Sequence, residues 1–320
     1  MQPKRPSHSV GIKSNQLSKK THSIADFHKL VRGFFSFLLS HGKTSIYNRK
    51  WRDNVLIIKN YTMPKTIEEA YQLNQKASSR ILGGCGWIKM SKNPIGTAID
   101  LSMLGLNQIE EREDCFVIGA MVCLRELECH EGLNRMTQGA IRESLRHIVG
   151  VQFRNCATVG GSIFGRFGFS DVLTCFLALD TEVELYPSGR MPLVQFAYEA
   201  KNREILTHII IKKENYQTVY LSHRNSVTDF PVLACAVSQK DGKMVASIGA
   251  RPMRAALVEY EGYLVRDDTN EEEWIQFAEK VAETLPFGSN MRASAEYREY
   301  LTKVLVKRAC SIMAQRRMKE

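Results

Sequence analysis

The stretch RNCATVGGSIFGRFGFSD, residues 154–171, decides how the rest of the chain is read. A run of β-branched and small residues leads into Gly160-Gly161, a third glycine follows at Gly165, and Ser170-Asp171 closes the segment. Paired glycines let a loop present successive backbone N–H groups and let the main chain come close to a ligand, as a pyrophosphate requires. A single pair marks an ordinary turn more often than a phosphate site. A second pair, Gly83-Gly84 in ILGGCGWIKM at 81–90, shifts the balance toward one shared site.

The surroundings of both pairs read as compact α/β structure. VLIIKNYTMP is a short strand and turn, and Thr66-Ile67-Glu68-Glu69 fits a capping box that opens a helix carrying Ile67, Ala70, Tyr71 and Ala77 on one face. Arg80-Ile81-Leu82 is then a strand running straight into the first glycine loop. TAIDLSMLGL, DCFVIGAMV, TEVELY and EILTHIIIK read as further strands, and LRELEC, QGAIRESLRHIV and VLTCFLAL as helices. PSG turns the chain back into MPLVQF. From about residue 216 TVYLSHR, FPVLACAVS and KMVASIGA read as three strands, with Asp241-Gly242 as a hairpin turn. Three helical segments follow: MRAALVEYEGYL, EEEWIQFAEKVAETL with Asn270 and Glu273 at capping-box spacing, and a last one from about Ala293.

Composition bounds the function. At 320 residues the chain can hold two modest domains. Its formal charge of +10 resides almost entirely in residues 1–54, where eleven Lys/Arg face only Asp26 and Asp53, so the body gives no reason to expect nucleic acid. That segment reads as a poorly ordered basic extension, with an arm that docks a partner or an anionic surface as the alternative. It carries one amphipathic patch, Ile24 to Leu39, and the chain's longest apolar run, Leu30 to Leu39, is interrupted by Arg32 and Gly33 and falls short of the length needed to cross a bilayer. The eight cysteines form no CxxC, and several lie in apolar runs; reduced buried thiols in a cytoplasmic protein are expected, without a metal site.

GG-x-x-x-x-x-M, RN-x-A-T-V-GG followed by S-D, and a late RASAEYRE occur in an order that resembles the FAD-binding subunit of xanthine dehydrogenase and carbon monoxide dehydrogenase-type molybdenum hydroxylases over about residues 55–310. The resemblance implies an α+β fold: a PCMH-type FAD-binding domain over 55–215, made of two α/β subdomains with a boundary near 110. A carbon monoxide dehydrogenase flavoprotein C-terminal-like domain would follow over 216–320, a three-stranded antiparallel sheet with three helices. It implies FAD as cofactor, held by Ile81, Leu82, Gly83, Gly84, Cys85, Gly86, Trp87 and Ile88 of the first loop and by Thr158, Val159, Gly160, Gly161 and Ser162 of the second. Asp171 would accept from a ribityl or ribose hydroxyl, although its place also suits a helix N-cap. Leu206 would contact the flavin ring, and Ile148 would stand beside it. The implied activity is electron transfer from partner [2Fe–2S] clusters through FAD to NAD or another acceptor, with no catalytic residue of the chain's own. Molybdopterin and the clusters would belong to a large and a small partner subunit.

Three features depart from the family's pattern. Cys85-Gly86-Trp87 replaces polar residues of the first loop, FGRFGF replaces a stretch of small residues and proline, and a lysine is missing ahead of the arginine in YLSHR. Cys85 reads as a small residue in a tight loop rather than a redox thiol. Arg166 reads as a solvated surface arginine, and His147, His208 and His223 as surface or satisfied histidines. The other readings are a stand-alone FAD oxidoreductase and a flavin-free interaction or nucleic-acid-binding protein.

Overall fold

The computed structural model describes residues 56–240, 242–262, 265–266 and 271–318. The basic extension over 1–54, Asp241 of the hairpin and the Asn270 cap lie outside them. The first described elements are β1 (Ile58–Thr62), α1 (Ile67–Asn74), β2 (Ser79–Leu82) and β3 (Ile95–Asp100). They form a parallel sheet in the order β1-β3-β2, with Ile58 opposite Ile95 and Leu82 opposite Asp100. Thr66 opens α1 as its spacing to Glu69 requires: its hydroxyl accepts from the Glu69 N–H at 3.1 Å, and the Glu69 carboxylate accepts from the Lys65 N–H at 2.8 Å. The helix stops at Asn74, short of Ala77, and β2 delivers the chain directly to Gly83.

The middle of the chain contains β4 (Ile109–Glu111), β5 (Cys115–Gly119), α2 (Leu124–Cys129), α3 (Glu131–Met136), α4 (Ala140–Leu145), α5 (Val151–Arg154), α6 (Val159–Phe164), α7 (Asp171–Leu177), β6 (Thr181–Tyr186), β7 (Gly189–Pro192), α8 (Leu193–Tyr198) and β8 (Ile205–Lys212). Its antiparallel sheet runs β4-β5-β8-β6-β7. In central β8, Ile205, Leu206, Ile209, Ile210 and Ile211 are all buried, which explains why EILTHIIIK is mainly apolar on both faces. Leu127, Leu133, Ile141, Leu145 and Phe176 come from α2, α3, α4 and α7 to one continuous core with Ile209 and Ile211. MPLVQF divides between β7 and α8 at Pro192, which precedes the helix with φ −58°. A buried carboxylate ties α2 to α5: Glu128 meets Arg125 at 2.9 Å and Arg154 at 2.8 Å, and Arg154 also donates to the Ile148 carbonyl at 3.0 Å.

The C-terminal part contains β9 (Gln217–His223), β10 (Leu233–Lys240), β11 (Lys243–Gly249), β12 (Ala256–Glu261), α9 (Glu271–Thr284) and α10 (Ala295–Arg317). Its sheet is antiparallel in the order β12-β11-β10-β9. Strand β10 divides its side chains by parity: Ala234 and Ala236 join the middle core, while Leu233, Cys235 and Val237 face Phe277, Leu305 and Met313 of the two helices. Among the described residues there are therefore four strands and two helices, where three of each were expected. The difference lies in MRAALVEYEGYL, which holds β12. Val258 and Tyr260 alternate with the exposed Glu259 and Glu261, a period of two that pairs along β11 from Ile248↔Ala256 to Lys243↔Glu261. Arg298 of the RASAEYRE motif is fully buried. It donates to the carbonyls of Val232 (2.9 Å), Gly288 (2.7 Å) and Ala293 (2.6 Å) and to Asn290 Oδ1 (2.6 Å), fixing the approach to α10. No helix of the described residues is long and apolar enough to cross a membrane.

Candidate functional site

The two glycine segments, about 75 residues apart in sequence, lie directly against each other. A Cβ on Gly84 would fall 2.2 Å from the Cys156 carbonyl oxygen and 2.4 Å from the Ala157 Cα, so the loops touch backbone to backbone where only hydrogen fits. Gly83 approaches the Thr158 hydroxyl in the same way. Thr158 also pairs with Cys123 as an isolated bridge, which anchors the second segment to the middle sheet's connection.

The segments differ in what they offer. No hydrogen bond within the described residues occupies the backbone N–H groups of Gly84, Cys85, Gly86 and Trp87. The second segment is not a loop at its glycines. Thr158 is the N-cap of α6, and Gly160 and Gly161 are its second and third residues. The first-turn donors are already used: Val159 N–H donates to the Val122 carbonyl at 2.9 Å, Gly160 N–H to the Ala120 carbonyl at 2.9 Å, and Gly161 N–H to the Thr158 hydroxyl at 3.2 Å. A Cβ on Gly160 would collide with Ala120, whereas one on Gly161 would meet only the Thr158 hydroxyl at 3.1 Å. The second segment therefore contributes an open, close-approaching backbone at Gly161 rather than a set of free donors.

Between them lies a cleft of about 930 Å³, at the upper end of the ~300–1,000 Å³ range of cofactor sites. Of the residues singled out in the sequence, Ile81, Gly83, Gly84, Cys85, Gly86, Trp87, Ile88, Thr158, Gly160, Gly161, Ser162, Asp171, Leu206 and Ile148 line it. Leu82 and Val159 do not; both side chains sit in hydrophobic cores. The lining is mainly apolar and includes Ile205 and Leu206 at the start of β8 together with the residues whose backbone N–H groups have no partner among the described residues. That combination suits a ligand with a phosphate centre and flat apolar ends, so the residues present fit FAD.

Two side chains, Asp171 and Arg166, behave differently from expectation, and Cys85 behaves as expected. Asp171 is not the cap of α7: Ser170 is, accepting from the Leu173 N–H at 3.1 Å. The Asp171 carboxylate is 5 % exposed and accepts from Arg224 and from the Tyr220 hydroxyl. Burial pushes its carboxyl up in pKa, against the pull of Arg224 and Tyr220, and burial with Asp171 alongside pushes the Tyr220 phenol well up. Arg224, at the end of β9, also lines the cleft and brings the C-terminal sheet to it. Arg166 is not a solvated surface arginine: it is 4 % exposed, with its guanidinium 3.8 Å from the Phe196 ring centroid. Burial, and then Arg254, lower its pKa. Cys85 adopts φ +56° and its thiol donates to the Gly83 carbonyl at 3.3 Å; burial, with Asp100 and Cys156 nearby, raises its pKa, so it remains a thiol.

Sequence reading missed the aromatic side of the cleft. Trp87, Phe167, Phe169 and Phe230, from three separate segments, meet at its rim. The signal was present as the two departures, CGW and FGRFGF, but nothing in the sequence places Phe230 beside them. Among the described residues no group of three or more His, Cys, Asp or Glu could hold a metal ion.

Comparison with known proteins agrees with this geometry. Residues 56–213 match the family model described as the FAD binding domain in molybdopterin dehydrogenase. The uncharacterized protein YgfM of Escherichia coli strain K12 is 26 % identical over 257 residues, covering 78 % of this chain and 94 % of that protein. Among solved structures, quinoline 2-oxidoreductase from Pseudomonas putida 86 superposes with a TM-score of 0.73 at 18 % identity, covering 82 % of this chain and 98 % of that one. Carbon monoxide dehydrogenase from Hydrogenophaga pseudoflava, lacking the Mo-pyranopterin moiety, gives 0.72 at 21 % identity, with 80 % and 97 % covered. At these identities the structures share the fold.

Proposed function

We propose, from the match of residues 56–213 to the FAD binding domain in molybdopterin dehydrogenase, that the chain is the FAD-holding, electron-transferring subunit of a molybdenum hydroxylase. The observation that carries the proposal is the backbone contact of the two glycine segments at one cleft large enough for the dinucleotide. In this reading the pyrophosphate lies at the free N–H groups of Gly84 to Trp87, against the open backbone of Gly161. Leu206 and Ile148 border the flavin, and Ser162 is within the lining to reach a ribityl oxygen. Asp171 acts through Arg224, because its carboxylate is already engaged. Leu82 and Val159 hold the two segments in place from the cores behind them.

Bound FAD would supply one- and two-electron redox chemistry; the chain's own residues bind, orient and shield it. The further assignments follow the same reading. Residues 55–215 form the flavin domain and 216–320 a C-terminal domain. Electrons arrive from [2Fe–2S] clusters of a small subunit, a large subunit holds the molybdopterin, and NAD or another acceptor takes them. The complex works in the cytoplasm. Affinity purification of the tagged chain from a host that makes its neighbouring gene products tests this. The reading requires FAD, iron and molybdenum to co-elute in fixed ratio with the chain; a chain that elutes alone, with flavin but no metal, refutes the subunit assignment.

A further inference from the structure

We propose that the rim formed by Trp87, Phe167, Phe169 and Phe230 is a stacking wall for a flat heteroaromatic ring of the bound dinucleotide, which takes over the holding role that polar side chains of the first loop do not supply here. The inference rests on the FAD reading above and adds to it a mode of binding and three residues, Phe167, Phe169 and Phe230, that the reading had not assigned to the cofactor.

The geometry is that of a continuous aromatic surface. Trp87 and Phe230 are stacked, with ring centroids 5.8 Å apart and planes 18° apart. Phe167 and Phe169 are stacked at 5.2 Å and 7°. Trp87 links the pairs at 5.4 Å to Phe167 and 5.5 Å to Phe169, and Phe169 stands 4.3 Å from Phe230. Each of the four lines the cleft. Rings that pack only to hold loops together are ordinarily covered, yet Trp87 is 45 % exposed and Phe230 36 % exposed. Open aromatic surface inside a concave site is the feature that takes up ligand rings.

The wall's position in the chain strengthens the argument. Trp87 follows directly on the loop whose N–H groups are free, so a phosphate seated there places an attached nucleoside beside the indole. Phe230 comes from the β9–β10 connection, and Arg292 lies 5.2 Å from its ring while Lys201 lies 5.5 Å from that of Phe167. Cations beside the outer rings help to hold them, and Lys201, which lines the cleft, adds positive potential near a diphosphate. The wall thus joins three segments distant in sequence, and its stacking tolerates either ring of FAD, since adenine and isoalloxazine both offer π faces.

Calorimetric titration of flavin-free full-length protein with FAD, FMN, ADP and inorganic pyrophosphate tests the proposal. Replacing a ring that stacks on a base weakens binding about five-fold to one hundred-fold. Trp87→Leu and, separately, Phe230→Leu should weaken FAD by that factor, Trp87→Phe should restore most of it, and pyrophosphate, which has no ring, should bind all variants alike. A parallel loss for FMN assigns the wall to the isoalloxazine, and a parallel loss for ADP assigns it to the adenine; both support the wall. Unchanged FAD affinity in the folded Phe230→Leu protein, or an equal loss for pyrophosphate, overturns it. Wild-type protein that takes up no FAD refutes the flavin reading itself, a result distinct from either.

Discussion

Gly84→Ala and Gly161→Ala should separate what glycine does for the fold from what it does for the ligand. At Gly84 the new methyl would lie 2.2 Å from the Cys156 carbonyl oxygen and 2.6 Å from its carbon. Both are backbone atoms, and the nearer is about 1 Å inside ordinary contact, so one segment has to move bodily. Overpacking against atoms that cannot rotate away belongs at the upper end of the usual 1–3 kcal/mol, or about 3 kcal/mol. For a folded body of this size that corresponds to a fall in Tm of about 6–12 °C. At Gly161 the methyl meets only the Thr158 hydroxyl at 3.1 Å, within the first turn of a helix. Alanine there is favoured over glycine by about 0.5–1 kcal/mol, so the flavin-free protein should melt no lower than wild type. The same methyl projects where the cleft wall must be bare, and FAD affinity should fall at least about ten-fold, the effect of 1.4 kcal/mol. Differential scanning fluorimetry of the flavin-free proteins and titration with FAD give both numbers. A Gly84→Ala protein that melts with wild type, or a Gly161→Ala protein that keeps its FAD affinity, would refute the placement of these two backbones.

Arg298→Met removes the donor to three carbonyls and Asn290 at once, leaving buried acceptors unpaired; a loss of about 3 kcal/mol or more is expected in urea unfolding, without a change in cleft geometry. Burial pushes the Glu128 carboxyl up in pKa, but Arg125 and Arg154 more than offset this and leave it lowered. Its stabilising contribution is therefore complete above the ordinary value of 4.5 and is lost as pH falls through the lower native value. Glu128→Gln should melt below wild type at neutral pH, and the gap should narrow in acid; a gap independent of pH would contradict the pairing. Burial raises the thiol pKa values of Cys175 and Cys310 to about 12, so in native protein near neutral pH iodoacetamide should label exposed Cys129 first and leave those two unlabelled by mass spectrometry.

Much of the architecture was legible because period and punctuation agree in this chain. Thr66 and Glu69 announced α1, the mainly apolar EILTHIIIK announced a strand, and the order of the glycine pairs announced a shared site. What could not be read depends on neighbours distant in sequence. MRAALVEYEGYL carries apolar residues that satisfy a helical face as well as a strand, and β11 alongside it selects the strand. Gly160-Gly161 looked like a loop because glycine disfavours helices, yet Thr158 caps them and Ala120 requires glycine for close packing. Arg166 looked exposed because arginine usually is, and the Phe196 ring that receives it lies thirty residues on in sequence, beyond α7, β6 and β7. Asp171 was recognised as a residue at the site, but Arg224 and Tyr220, which engage its carboxylate, come from the C-terminal sheet.

The central claim is that the chain's cleft holds one FAD. Purified protein, denatured and resolved by chromatography against standards, should release FAD, free of FMN, in a ratio approaching one per chain. Protein that is colourless and stays so after incubation with excess FAD, or that releases FMN instead, would contradict it.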